Sequence, residues 1–377
     1  MRIHQANSFN ELQPIWNSCL KRCHDNNPFL TWEWLSTWWE FFGKNKELLL
    51  LTLEDAGRVI AIAPLMRTAT KIMKLQTVRK IEFIGSPESD YSNFIITEQE
   101  KECLKEIFKY LQYAFPDWDF IELRELRETS STTSAIKETL SDKKFSFSIK
   151  QRQCSICPYI PLPQTFQALT SELDKKTQQT LNRHIRKLNR DFSVQFKSYR
   201  EFGYTAQEAM KLFVKVHEMR WVPLGVPYAL ANENIRAFHL ALADLLDKNS
   251  CLSLQFLKLN GEIVAGLYGF NYEQTLYGYL TGFDPKYATY AVGNLSMYFL
   301  MDDCIKREFV EMDLLRGDEP YKSHITRTYR TNSEIRVIKK NAKYYLYEQY
   351  EHALKTRDAT KKRISQKKTT NNQKAKL

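Results

Sequence analysis

Glycine and proline are scarce, at 12 each in 377 residues, which excludes collagen-like and low-complexity architectures. Long apolar runs are missing too. The longest, Leu48–Leu53, meets Glu54 and Asp55 well short of the roughly 18 residues that a membrane span needs. The start, Met1–Asn7, has no apolar segment of the secretory kind, so the expectation is a soluble protein in the cytoplasm. Cysteines are few and scattered: Cys19, Cys23, Cys103, Cys154, Cys157, Cys251 and Cys304. An odd set of this kind is not a disulfide framework. Cys154 and Cys157 have the C-x-x-C spacing, but no second Cys or His pair follows at zinc-finger distance. They read as ordinary thiols, and no metal is expected. P-loop, dinucleotide-binding, zincin and nucleophile-elbow motifs are all missing, which removes the usual support for kinase, NTPase, dehydrogenase, metalloprotease and hydrolase chemistry.

What is present is apolar and aromatic. Hydrophobic residues make up 43% and aromatics 13%, enough for sizeable cores, and the length suggests about two domains. The net charge of +11 is unevenly placed. Residues 355–377 hold nine Lys or Arg against one Asp, so the tail carries +8 and the rest only +3. With almost no large apolar residue, that tail cannot offset its ordering entropy. We expect a disordered basic tail on a nearly neutral body, able to make weak contact with nucleic acid or an anionic surface.

The body repeats itself. In the first half, the run Glu47–Gly57, a strand ending in a Gly turn, and strand Arg58–Met66 lead to strand Lys80–Ile84, a loop, a helix near Glu100–Phe115 and strand Asp119–Arg124. In the second, Leu252–Leu259, the turn Asn260–Gly261 and Ile263–Phe270 lead to Leu276–Thr281, the loop Gly282–Gly293, a helix over Asn294–Arg307 and strand Val310–Leu315. Asp90 to Asp119 and Asp284 to Asp313 are both 29 residues apart. This predicts an α/β (mixed α+β) protein of two tandem modules, each a twisted mixed sheet flanked by helices. The boundaries are 1–150 for the first module, 151–164 for a linker, 165–354 for the second and 355–377 for the tail. A basic helix, Thr165–Arg190, and two amphipathic helices open the second module, and Ser333–Lys339 is a closing strand.

Three segments suggest chemistry. Ala291, Val292, Gly293 and Asn294 lead into a helix, whose first-turn N–H groups suit an anionic ligand. Arg316–Lys322 follows a strand, and strand C-termini are where ligands sit in open α/β sheets; the alternative is a helix start. His217, Arg220 and Trp221 end a helix, where a His and an Arg also satisfy carbonyl dipoles. The basic helix face is either a solvated surface or a phosphate contact.

The segments Pro28–Trp39, Ala63–Leu65, Phe83–Tyr91, His217–Trp221, Thr281–Tyr287 and Leu314–Lys322 together resemble the GNAT acyltransferase superfamily. Within it, the chain resembles the CelD-like branch linked to cellulose and exopolysaccharide synthesis, and the two halves are similar in architecture to Fem-type peptidyltransferases. The resemblance implies two GNAT-like modules and an acyl-CoA donor in the second, its pyrophosphate near Ala291, Val292, Gly293 and Asn294. The usual GNAT phosphate loop has more glycine and a basic residue at its start. The likeness further implies an amine or hydroxyl acceptor on a small molecule, a sugar or an envelope precursor. Fem-type relatives have a lysine after the last core strand that supports transfer from aminoacyl-tRNA; Lys322 matches it, and Arg183 and Arg186 match their phosphate contacts. Asp318, Glu319 and His217 are the candidates for proton acceptor. Backbone near Leu280–Gly282 is the candidate for holding the oxyanion. Arg316, Tyr321, Arg220, Asp284, Asp90 and Tyr91 are expected to bind substrate. Two readings compete with acyl transfer from acyl-CoA: Fem-like aminoacyl transfer, and a non-catalytic binding or scaffold protein.

Overall fold

Runs of Leu, Ile and Val between turn residues form the frame of the molecule, and the computed structural model joins them into one sheet. It describes residues 1–72, 76–339, 342–354 and 356–357, so the basic tail lies almost wholly outside the described residues. The strands are β1 (Arg2–Ala6), β2 (Glu47–Asp55), β3 (Arg58–Ile72), β4 (Gln76–Phe83), β5 (Ile95–Ile96), β6 (Phe120–Arg127), β7 (Phe147–Pro161), β8 (Val194–Ser198), β9 (Leu252–Leu259), β10 (Glu262–Tyr272), β11 (Thr275–Phe283), β12 (Glu311–Asp313) and β13 (Tyr329–Lys339). Their order is β1-β2-β3-β4-β6-β13-β7-β12-β11-β10-β9-β8, with β5 beside β3. The pairs β4·β6 and β11·β12 are parallel; the others are antiparallel.

That order reads the same from both ends. Each half supplies an antiparallel run of four strands and a fifth that joins it in parallel. The last strands are exchanged: β7, from the first half, lies against β12, and β13, from the second, lies against β6. β7 and β13 pair with each other along the middle, from Tyr329 opposite Pro158 to Lys339 opposite Phe147. The segment expected as a linker, 151–164, therefore falls largely within a central strand. Phe147–Pro158 pair with β13 and Tyr159–Pro161 with β12, so every residue of β7 except Cys154, at the register shift, has a ladder partner on one side.

Register, by contrast, corrects the spacing argument. Lys80–Glu82 pair with Phe120–Glu122, and Thr275–Tyr277 with Glu311–Asp313. Asp313 thus corresponds to Glu122 and not to Asp119, so the repeat is real in element order while the equal 29-residue interval is an offset coincidence.

Helices cover both faces. Phe9–Lys21, Trp32–Phe42, Ala206–Trp221 and Glu233–Lys248 share one core across both halves, in which Trp34 packs edge-on to Phe238 and Phe270, with ring centroids 5.2 and 5.5 Å away. The opposite face has two separate cores. Glu100–Lys109 and Ser131–Leu140 line one, and Lys175–Asp191 and Val292–Lys306 line the other. The single basic helix expected over Thr165–Arg190 is broken: Phe166–Ser171 ends before Asp174, whose carboxylate caps Lys175–Asp191 by accepting from the N–H groups of Lys176 and Thr177. A helical stretch follows over 342–354.

Candidate active site

The second half opens a gap in its own sheet. β12 stays beside β11 only opposite Thr275–Tyr277, while β11 runs on to Phe283. Just beyond the divergence β11 bulges. Gly269 pairs with Gly278 and Tyr268 with Leu280, which leaves Tyr279 without a counterpart on β10. A Cβ on Gly269 would lie 2.1 Å from the Tyr277 carbonyl oxygen, so this close approach requires glycine. The bulge loosens the ladder next to the backbone, Leu280–Gly282, expected to hold an oxyanion. A narrow crevice here is lined by Leu276, Gly278, Leu280, Thr281, Met297, Leu314 and Tyr321.

From one face, the helix Val292–Lys306 aims its N-terminus at the end of β11. Its first intrahelical bond runs from the Leu295 N–H to the Ala291 oxygen (2.9 Å), so the N–H groups of Val292, Gly293 and Asn294 precede the ladder. Ala291 takes φ +56° to turn the chain into the helix. Gly293 has a packing reason as well, since a Cβ there would sit 2.9 Å from the Phe283 ring. Arg220 stacks on the same ring at 4.6 Å and so brings a cation to this end of β11. The first half has the matching turn, with Gln99 at φ +53°, but follows it with Glu100 and Glu102. Acidic side chains in the first turn oppose an anion, and the second half has none there. Of these two helix N-termini, that of the second half is the one suited to a phosphate.

From the other face, His217 reaches β11. Its Nδ1 lies 2.9 Å from the Thr281 carbonyl oxygen, and burial holds its pKa below the usual histidine value, so it is neutral near pH 7. Gly282 lets the helix come this close, since a Cβ there would lie 2.6 Å from the His217 Cα. Both faces therefore meet at Thr281–Phe283.

The first half reaches into this region through the loop after β4. Tyr91 donates to Asp313 Oδ2 (2.7 Å), and Arg316 pairs with Asp90 (2.7 Å). Arg330 bridges Asp313 (3.2 Å) and Glu311 (2.5 Å), while Arg127 stacks over Tyr91 at 4.2 Å. Burial raises the carboxyl pKa of Asp313, and it raises Asp90 to about 6 in spite of Arg316. Asp90 is thus spent on Arg316 and Tyr91 on Asp313, as a polar clasp between the halves.

Lys322, which matches the transfer-supporting lysine of the Fem-type resemblance, is 4% exposed. Its ammonium donates to the carbonyls of Leu315 (3.3 Å) and Arg316 (2.8 Å) and pairs with Glu319 (2.9 Å). It holds a loop in which Leu315 and Gly317 take φ +58° and +129°. Asp318 and Glu319 are exposed, and Tyr321, 37% exposed, lines the crevice. Asp284 caps a short turn, Pro285–Tyr290, by accepting from the Lys286 N–H (3.0 Å). Arg183 and Arg186 line an open groove of about 540 Å³ with Lys187 and Arg190. Lys187 stacks on Tyr290 at 4.2 Å, which puts this basic face beside the loop that enters the phosphate-facing helix. Cys154 and Cys157 are free, and no group that could hold a metal occurs among the described residues. No helix among them is long and apolar enough to cross a membrane.

Sequence reasoning missed Tyr279, Thr281 and Phe283 as individual positions. Gly269, Gly278 and Gly282, clustered in two adjacent strands, were the available signal for a bulge and a close helix approach.

A sheet that splays beside a bulge, with a helix N-terminus facing the gap, is the arrangement of the GNAT fold. Residues 175–323 match the family described as acetyltransferase (GNAT) domain, which places the match on the half that holds the gap. No curated protein matches the chain. Among solved structures, FemX shares 11% identity at a TM-score of 0.62 over 92% of this chain and 99% of its own. A conserved Bacteroides thetaiotaomicron protein of unknown function shares 13% at 0.56, over 90% of this chain and 100% of its own. The C-terminal domain of a lysylphosphatidylglycerol synthetase from Agrobacterium fabrum shares 9% at 0.52, over 90% and 96%. At such identities the likeness is one of fold.

Proposed function

We propose that the chain moves an acyl group from an acyl-CoA to an amine or hydroxyl of a sugar or envelope precursor, as the CelD-like resemblance implies, and does so in the cytoplasm. The supporting observation is the meeting, at Thr281–Phe283, of an acid-free helix N-terminus on one face and a neutral histidine on the other. In this reading the N–H groups of Val292, Gly293 and Asn294, with Arg220, hold the donor's phosphates. The crevice beside β11 takes the acyl arm. Backbone N–H groups freed by the bulge steady the charge on the acyl oxygen, and Tyr321 returns a proton to the leaving group. Holding donor and acceptor on opposite sides of one gap removes much of the entropic barrier, so no covalent enzyme intermediate is required. Lys322 contributes by fixing the loop that carries Arg316 and Tyr321. The first half, 1–150, serves as a wall and clasp for the second.

Titration calorimetry with acetyl-CoA and longer acyl-CoAs tests this reading. Saturable heat, weakened in Arg220→Ala, is expected; no heat and no thermal shift at millimolar ligand refutes the donor. The basic groove of Arg183, Arg186, Lys187 and Arg190 favours a second reading, an aminoacyl-tRNA donor. Under it, binding of aminoacyl-tRNA is salt-dependent and is lost in Arg183→Ala/Arg186→Ala.

A further inference from the structure

His217 and Trp221 lie one turn apart at the end of the helix Ala206–Trp221, and each has a buried nitrogen with no hydrogen-bond partner among the described residues: His217 Nε2 and Trp221 Nε1. His217 is 2% exposed. A carbonyl only accepts, so the contact with Thr281 puts the imidazole proton on Nδ1 and leaves a lone pair on Nε2. An indole N–H only donates. Side by side, with ring centroids 6.1 Å apart, stand one unmet acceptor and one unmet donor. Tyr228 and Phe213 flank the imidazole at 5.8 and 5.7 Å, and Val222–Pro227, exposed along its length, carries Tyr228 to that position. Buried polar atoms left this way are costly unless a ligand or water meets them. Both belong to a helix packed on β11, at the strand edge that the donor helix approaches from the opposite face.

We propose that His217 Nε2 and Trp221 Nε1 receive the nucleophilic group of the acyl acceptor, an uncharged hydroxyl or amine that donates to the histidine and accepts from the tryptophan. This rests on the acyl-transfer reading and adds the chemical state of the acceptor. An ammonium has no lone pair to offer Trp221 and does not match. In the step, the acceptor's O–H or N–H bond breaks and its proton passes to Nε2. The freed electron pair forms the bond to the acyl carbon, and the bond from that carbon to the donor's leaving group breaks with its electrons on the leaving group. The imidazolium keeps its Nδ1–H on Thr281 and gives up the second proton to water, while Tyr321 protonates the leaving group and is reprotonated from water. Glu218, next in the chain, is engaged with Arg236 at 3.2 Å, so it does not compete as the base.

The test has one arm that needs no acyl donor. In nitrogen-15 imidazole spectra of the full chain, assigned by the signal lost in His217→Gln, His217 is expected as the Nδ1–H tautomer at pH 7. Its Nε2 resonance should move on adding hydroxylamine, a small uncharged donor and acceptor, and stay put with methylammonium. An Nε2–H tautomer, or no response to hydroxylamine, overturns the proposal. In the second arm, acetyl-CoA and hydroxylamine are followed by hydroxamate formation. His217→Gln should lower kcat by roughly 10²-fold or more, and Trp221→Phe should chiefly raise KM for hydroxylamine; wild-type rates in His217→Gln overturn the assignment. If His217→Gln fails to fold, Trp221→Phe decides by the same KM shift. If the wild type forms no hydroxamate, the acetyl-CoA reading fails and the spectra alone decide the acceptor site.

Discussion

Replacing Lys322 with methionine separates two accounts of one residue. Methionine keeps much of the shape and removes the ammonium, so the carbonyls of Leu315 and Arg316 lose their donor. Leu315 is buried, and a buried carbonyl left unsatisfied costs about 1–3 kcal/mol. With the carbonyl of half-buried Arg316 the loss is roughly 2–6 kcal/mol at most. The Glu319 pair adds little, because that carboxylate is mostly exposed. Leu315 also sits in the left-handed region, a backbone state that costs a non-glycine residue about 1–2 kcal/mol and persists only while neighbours hold it. For a chain of this size a loss of that order lowers the thermal midpoint by roughly 5–10 °C. Differential scanning fluorimetry and urea unfolding measure it, with turnover recorded well below the midpoint of the variant. We expect a clear drop in midpoint and a modest drop in kcat, as Arg316 and Tyr321 lose their positions. An unchanged midpoint with turnover down by 10²-fold would refute the reasoning and make Lys322 the catalytic cation of the resemblance.

Gly293→Ala pushes a methyl to within 2.9 Å of the Phe283 ring, so we expect about 1–3 kcal/mol of strain by denaturation and weaker acyl-CoA binding by calorimetry. Asp90 has a folded-state pKa raised to about 6, above its ordinary 3.8, so its contribution to stability is full below pH 4 and is lost as pH rises towards 6. The stability of Asp90→Asn relative to wild type should therefore improve between pH 4 and 7 in urea titrations, and a flat difference would contradict the burial argument. Deleting residues 355–377 should leave the thermal midpoint in place and reduce retention on heparin, because +8 of the net +11 leaves with them. Unfolding on truncation would show that the boundary is misplaced.

Much of the fold was legible because it depends on local pattern. The hairpins at Gly57 and Asn260–Gly261, the apolar face of Glu100–Lys109 and the helix after Gly293 follow from turn chemistry and from periods of 2 and 3.6. The closing strand near Ser333–Lys339 was also readable, but its partners were not. Pairing across the chain is decided by which edge remains open, and here the open edges belong to the opposite halves. The break at Glu172–Asp174 escaped because the charge pattern runs on through it, although Asp174 is a cap in plain view.

The site divides in the same way. By itself the sequence determined that an anion-suited helix N-terminus follows Ala291, that a polar run follows the last core strand of the second half, and that a His and an Arg end the helix at Trp221. Residue type and local backbone settle such things, within a turn or a strand end. The tertiary structure decided which of these meet. It spent Asp90, Tyr91 and Arg316 on joining the halves, turned Lys322 inward to two carbonyls, and set His217 on Thr281. Burial and direction are properties of long-range packing, where a charged side chain takes whichever partner the fold brings to it, and no spacing along the chain encodes that partner.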